Sequence, residues 1–164
     1  MVFIVAKKNG KSALSSAIGL YLLIADQENG PEVYAVATKR DQAKIIWGEA
    51  KKMANKSRFI SKMVKPYVGE IVCDMNQGSF KPLASDKDTL DGLNVSGVLM
   101  DEIHQWKGGV GLYDIMVDGT TARKQPLTAI TTTAGTVRED FYDQKYEECK
   151  NQIAGYGLSN PDFY

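Results

Sequence analysis

The sequence holds a single histidine, two cysteines and no net charge, with twenty Lys and Arg set against twenty Asp and Glu in 164 residues. One histidine with no nucleophilic serine motif near it excludes a Ser-His-Asp hydrolase triad. Cys73 and Cys149 lie far apart without metal-ligand spacing, which excludes a disulfide framework and is consistent with free thiols in a reducing compartment. A stand-alone duplex-binding protein is normally basic, so zero net charge confines any DNA contact to a local patch, weak and salt-sensitive. Lys51, Lys52, Lys56, Arg58, Lys62 and Lys65 form the densest basic stretch, and a helical basic face of this kind is read as solvated, with DNA contact as the minor reading. Long apolar runs are missing too. The first ends after Val2-Phe3-Ile4-Val5 and the longest, Ile18 to Ala25, falls far short of the roughly 20 residues of a membrane helix. With neither repeats nor low-complexity linkers, the chain reads as soluble, cytoplasmic and one domain long.

What is present is an alternation of strand and helix patterns, with 43% hydrophobic residues to fill a continuous core. A strand at 2–5 leads to a helix at 12–25, with Leu14, Ala17, Ile18, Tyr21, Leu22 and Ala25 at helical spacing, closed by Asn29-Gly30-Pro31. A strand at 32–37 precedes a helix at 40–56, whose stripe of Ala43, Ile46, Trp47, Ala50, Met53 and Ala54 is core. Short strands at 70–73 and 79–83 flank a turn at 76–78. An apolar strand then runs to residue 102. A glycine joint at 107–111 follows, too irregular for a dinucleotide fingerprint. A helix at 111–119, a strand at 126–132 and a charged helix at 138–153 close the set. This order implies right-handed crossovers and a mostly parallel sheet flanked by helices, an α/β fold.

Three segments carry chemistry. Lys7-Lys8-Asn9-Gly10-Lys11-Ser12 lies between the first strand and first helix. A turn at Gly10 lets backbone N–H groups face a polyphosphate at a helix N-terminus, with Lys11 reaching the β/γ oxygens and Ser12 ligating Mg²⁺. The motif is deviant, because Val5 stands where G-x-x-x-x-G-K-[ST] begins. Second, Gly97-Val98-Leu99-Met100 runs into Asp101-Glu102. In phosphate-loop NTPases the first acid holds the Mg²⁺ shell and the second orients and deprotonates the attacking water. Third, the strand Leu127-Thr128-Ala129-Ile130 ends in Thr131-Thr132-Thr133-Ala134-Gly135, where ligands bind in open α/β sheets. Taken alone, the threonine triplet is ordinary strand composition. His104, just past Glu102, is read as a partly exposed loop residue, with orientation of the acidic pair as the alternative.

These motifs, together with the Glu32-Val33-Tyr34 strand, the Thr38-Lys39-Arg40-Asp41-Gln42-Ala43 helix start and the Leu90-Asp91-Gly92-Leu93-Asn94 loop, resemble the ATPase domain of the large terminase subunit of tailed bacteriophages. The resemblance runs from the first residues to about Arg138. It implies an additional-strand, catalytic-glutamate ATPase that binds ATP and Mg²⁺. Lys7, Lys8, Asn9, Gly10, Lys11 and Ser12 would then form the nucleotide loop, Ser12 and Asp101 the metal ligands, Glu102 the catalytic acid, and Thr131, Thr132, Thr133 and Gly135 the coupling motif. Lys7 stands where many relatives have arginine, which keeps the charge but loses the planar fork.

The resemblance also implies a homo-oligomeric ring on a portal protein, acting on double-stranded DNA with a small terminase subunit. Each active site of such a ring is completed by an arginine from a neighbour. Many relatives carry an arginine before a glycine ahead of the strand with the acids, where this sequence has Asp91-Gly92. Arg123, Arg138 and Arg40 are then the candidates, with Arg123 favoured. The family's N-terminal segment and C-terminal nuclease are expected to be missing from residues 1–164, leaving a chain monomeric in isolation with weak DNA affinity. A small-molecule phosphotransferase and a non-hydrolysing assembly remnant stand as the alternative functions.

Overall fold

The computed structural model describes residues 1–84, 92–134 and 140–156. Seven strands form one sheet: β1 (Val2–Ile4), β2 (Glu32–Ala37), β3 (Lys65–Pro66), β4 (Ile71–Cys73), β5 (Gly78–Ala84), β6 (Val95–Asp101) and β7 (Leu127–Thr132), in the order β1-β7-β6-β2-β5-β4-β3. The first five in that order run parallel, and β4 and β3 add an antiparallel edge. The predicted mixed α/β fold with a mostly parallel sheet is therefore the one observed. β7, late in the chain, is inserted between β1 and β6, which is the additional-strand arrangement.

Four helices cover the two faces: α1 (Lys11–Ile24), α2 (Arg40–Lys56), α3 (Val110–Asp118) and α4 (Phe141–Ile153). Alternation along β2 divides the core between them. Val33 and Ala35 join Leu20, Leu23, Ile46, Trp47, Ala50 and Phe80 on the α1/α2 face. Tyr34 and Val36 join Met100, Trp106, Leu112, Met116 and Phe141 on the other. The stripe predicted for α2 is buried at Ala43, Ile46, Trp47, Ala50 and Ala54. At about 0.8 kcal/mol per buried CH₂, these two layers are the main source of stability.

α1 lies unusually close to the sheet. A Cβ at Gly19 would fall 2.7 Å from the Phe80 ring and 2.8 Å from Leu99 Cδ1, closer than such atoms ever pack. Glycine here seats the helix that follows the phosphate loop directly on β5 and β6. Ser16 fixes its lateral position, donating its hydroxyl to Ile46 O of α2 at 2.8 Å.

Most expected boundaries are met within two residues. The helix expected over 138–153 is described from Phe141 onward, and residues 135–139 lie outside the described segments. The sequence pattern held no sign of β3, a two-residue edge strand with a proline and no alternation, or of the 3₁₀ turns at Ile60–Lys62 and Ile103–Gln105.

Candidate active site

The C-terminal ends of β1, β7 and β6 lie side by side, and the chemistry-bearing residues sit there. After β1 the chain turns through Lys8 at φ 67° and Gly10 at φ 75° before α1 begins at Lys11. Two left-handed residues so close together turn the chain sharply into the helix N-terminus. Gly10 caps the helix without a side-chain hydrogen bond. Lys7, Lys8 and Asn9 are exposed on the rim, and Asn9 Nδ2 ties the loop to Ala6 O at 3.3 Å.

Lys11 is turned inward and is only 6% exposed. Its Nζ donates to Ala6 O at 3.3 Å and Val5 O at 3.5 Å, and stands 3.8 Å from Glu102 Oε1. Ser12, next on the helix, is half-buried. The predicted loop cation and the predicted acid therefore meet in space.

β6 and β7 pair with Asp101 opposite Thr131. That register places the Thr131 hydroxyl 3.0 Å from Asp101 Oδ1, and Ser15 of α1 reaches the same hydroxyl at 3.2 Å. The Glu102 N–H also donates to Asp101 Oδ1 at 2.9 Å. Burial pushes the Asp101 carboxyl above its ordinary value, opposed by the Thr131 hydroxyl and raised further by Glu102. A group in that state is one that a cation would stabilise. Among the described residues both side-chain hydrogen bonds to Asp101 fall on Oδ1, which leaves Oδ2 for such a cation. Among the described residues no group of three or more His, Cys, Asp or Glu could hold a metal ion. The donor set instead suits Mg²⁺, which takes one or two protein oxygens and shares the rest with phosphates and water.

Glu102 adopts φ 53°, ψ 41°, a left-handed conformation rare for glutamate. It is held there by its N–H to Thr131 O at 2.9 Å and by the turn that follows, in which Trp106 Nε1 donates to Asp101 O at 3.1 Å. The carboxylate consequently projects back toward Lys11. Thr133 donates to Glu102 Oε2 at 3.4 Å, and His104 Nδ1 lies 3.2 Å from that oxygen. Thr131, Thr132 and Thr133 are all buried. Gly135, the last of the coupling residues, lies outside the described segments.

One expectation changes. Arg123 is not a surface arginine available to a neighbour. Its Nη1 donates to Asn29 O at 2.9 Å, Nη2 to Gly30 O at 2.8 Å and Asn94 O at 2.9 Å, and Nε to Asn94 O at 3.2 Å, with Glu28 Oε2 at 3.5 Å from Nη1. The side chain is 7% exposed. Asn29-Gly30 and Asn94 precede β2 and β6, so Arg123 closes the end of the sheet opposite the acids. Its donors are spent on that clamp, and the expectation of a trans-acting finger at Arg123 is corrected. Arg40, the first residue of α2, is exposed at the acids' end of the sheet, and Arg138 lies outside the described segments. His104 is partly exposed, as expected, in the turn after Glu102, and its ring lies against the Glu102 carboxylate.

Comparison with known proteins bears on this arrangement. The family model for the ATPase domain of the terminase large subunit matches residues 1–151. No curated protein matches the sequence. Among solved structures, the large terminase of bacteriophage HK97 superposes with a TM-score of 0.82 at 22% identity, covering 94% of this chain and 33% of its own. The large terminase ATPase domain of Thermus phage P74-26 gives 0.66 at 18% identity, covering 84% and 60%. The large terminase of a thermophilic bacteriophage, solved in complex with ADP, gives 0.61 at 10% identity, covering 93% and 44%. That same thermophilic phage protein has also been solved with ATP-γ-S. At these identities the structural likenesses establish the fold, and the chain spans about a third of the length of the HK97 protein.

Proposed function

The chain belongs to the family of terminase large subunit ATPase domains, and from that premise we propose that it binds ATP with Mg²⁺ at the loop after β1 and hydrolyses it as the motor domain of a DNA-packaging machine. The observation that carries this reading is the meeting of Lys11 and Glu102, 3.8 Å apart, beside a buried Asp101. Two segments distant in sequence supply one site with a phosphate-binding cation, a metal-binding carboxylate and a candidate base.

In this account the polyphosphate approaches the N-terminus of α1, where backbone N–H groups and the helix dipole favour anions. Lys11 exchanges the Val5 and Ala6 carbonyls for β/γ-phosphate oxygens. Lys7, Lys8, Asn9 and Gly10 form the rim over the phosphates. Ser12 and Asp101 would hold Mg²⁺, whose charge offsets that of the phosphates. Glu102 accepts a proton from the attacking water at its carboxylate. Its strained backbone fits that role, since such strain gathers at sites that fix a reactive group. Thr131, Thr132 and Thr133 line the same site and would carry the consequence of hydrolysis along β7.

The family extends the proposal to double-stranded DNA as the moved substrate, a ring of copies on a portal protein, and a small terminase subunit as partner, in the host bacterial cytoplasm. Among the described residues no helix is long and apolar enough to cross a membrane.

The test is phosphate release from Mg²⁺-ATP by the purified chain over a range of protein concentrations, with and without duplex DNA. The proposal expects release that requires Lys11 and Mg²⁺ and rises with DNA. ATP binding without release at any concentration would mark a non-hydrolysing domain. Transfer of phosphate to a small acceptor, indifferent to DNA, would mark a phosphotransferase.

A further inference from the structure

His104 joins the candidate base to the end of β7, and its ring is reached from a second side by a glutamine. Nδ1 lies 3.2 Å from Glu102 Oε2 and 3.0 Å from Thr132 Oγ1. Nε2 lies 3.4 Å from both Gln105 Nε2 and Thr133 Oγ1, while Gln105 Oε1 accepts from Gln42 Nε2 of α2 at 3.0 Å. The Thr132 hydroxyl donates to Thr133 O at 3.1 Å and so accepts from the ring, while an amide nitrogen only donates. The proton of the neutral ring therefore belongs on Nδ1, with Nε2 accepting from Gln105.

From this chain, Gln42 to Gln105 to His104, whose Nδ1 meets Thr132 Oγ1 and lies beside the Glu102 carboxylate, we propose that His104 is a positioning residue. Held as its Nδ1–H tautomer by Gln105, it fixes the orientation of the Glu102 carboxylate and ties it to Thr132 and Thr133. The tautomer of a histidine is set by the partner of its other nitrogen, and this partner hangs from the N-terminal part of α2. The backbone reinforces the tie, because the His104 N–H points to Thr132 Oγ1 at 3.4 Å. Thr133 Oγ1, 3.3 Å from His104 Nδ1 and 3.4 Å from Glu102 Oε2, completes the contact. The orientation of the acid is thereby linked both to α2 and to the C-terminal end of β7. The tautomer needs only the geometry, whereas its consequence for turnover rests on the ATPase reading above.

Because His104 is the only histidine, ring ¹⁵N spectra of histidine-labelled protein above neutral pH report it without ambiguity. The expected spectrum is that of the Nδ1–H form, the reverse of the preference of free imidazole in water, and Gln105→Ala should move it toward Nε2–H. A wild-type spectrum of the Nε2–H form, or of a doubly protonated ring, overturns the proposal whether or not the protein hydrolyses ATP. In the hydrolysis assay, His104→Ala should lower kcat about 10- to 100-fold, the scale of a misplaced reacting group, with ATP affinity unchanged. His104→Asn, whose amide nitrogen falls near the position of Nδ1, should recover most of the loss. In a Glu102→Gln background, His104→Ala should cost nothing further. Failure of His104→Asn to recover activity while folded, or full additivity with Glu102→Gln, overturns the positioning role. An Nδ1–H spectrum with no wild-type turnover would instead count against the ATPase reading and leave the tautomer assignment standing.

Discussion

Thr131 donates its hydroxyl to Asp101 Oδ1 across 3.0 Å, from the strand neighbouring β6 and from the residue directly opposite in register. A desolvated carboxylate at a strand end costs free energy unless hydrogen bonds hold its charged form. The hydroxyl of the first threonine in the triplet does so, and Ser15 ties the same hydroxyl to α1. The helix of the phosphate loop, the strand of the acids and the strand between them thus meet at one oxygen atom.

Replacing Thr131 with Val keeps the shape and deletes that hydroxyl. Asp101 Oδ1 and the Ser15 hydroxyl then lose a buried partner, at an expected cost of about 1–3 kcal/mol. The Mg²⁺ concentration needed for turnover should rise as well, because Asp101 becomes harder to ionise. Thr131→Ser should stay close to wild type. Urea unfolding and an Mg²⁺ titration of phosphate release measure the two effects, and an unchanged Mg²⁺ requirement in Thr131→Val would refute the second.

Arg123→Ala removes the donors that close three carbonyls at the far end of the sheet. The expected loss is about 1–2 kcal/mol of stability, the low end for hydrogen bonds from a charged donor, because most of these bonds are exposed. Lysine should not restore it, since an ammonium lacks the fork that spans Asn29, Gly30 and Asn94. ATP turnover per folded molecule should be unchanged at every protein concentration. Loss of a concentration-dependent rise in turnover, with stability intact, would return Arg123 to a role across subunits.

The local pattern of the sequence was enough to find β2, α2 and the acidic strand end, since each is a run of unbroken period flanked by polar residues. The places of the loop after β1 and of the Asp101-Glu102 pair at strand ends were likewise legible, because a glycine turn before a helix and paired acids after an apolar strand mark them locally. Strand order was not legible from period or propensity. That β7 lies between β1 and β6 depends on long-range pairing, and only the family resemblance anticipated it. The partners of Arg123 and His104 were hidden for the same reason. The partners of Arg123 are backbone carbonyls brought from 29 and 94 residues away, and Thr132 reaches His104 from 28 residues away. A carbonyl has no identity in a sequence, so an arginine that will clamp three of them looks like one that will stay in water.

Asp26 carries a pH prediction. Among the described residues its buried Oδ2 meets no hydrogen-bond partner, while Gln125 donates to Oδ1 at 3.2 Å. Burial raises its pKa above the ordinary carboxylate value, with Gln125 opposing and Glu28 adding. A folded-state pKa above the unfolded one means that the native state holds the proton more tightly. The ionised form therefore costs stability at neutral pH, and the cost disappears as pH falls through the raised pKa. Asp26→Asn should melt higher than wild type at neutral pH, with the gap narrowing in acid. A gap that stays constant with pH would show that ionisation of Asp26 is not the cause.

The most direct test of the central claim is the Glu102→Gln variant, assayed for nucleotide binding by calorimetry and for phosphate release in the same buffer. Glutamine keeps the size and polarity of the side chain but cannot accept the proton of the attacking water. The account predicts ATP affinity within a few-fold of wild type and hydrolysis lower by ~10²–10⁴-fold, the range for a positioned general base. Wild-type rates of phosphate release from Glu102→Gln would contradict it.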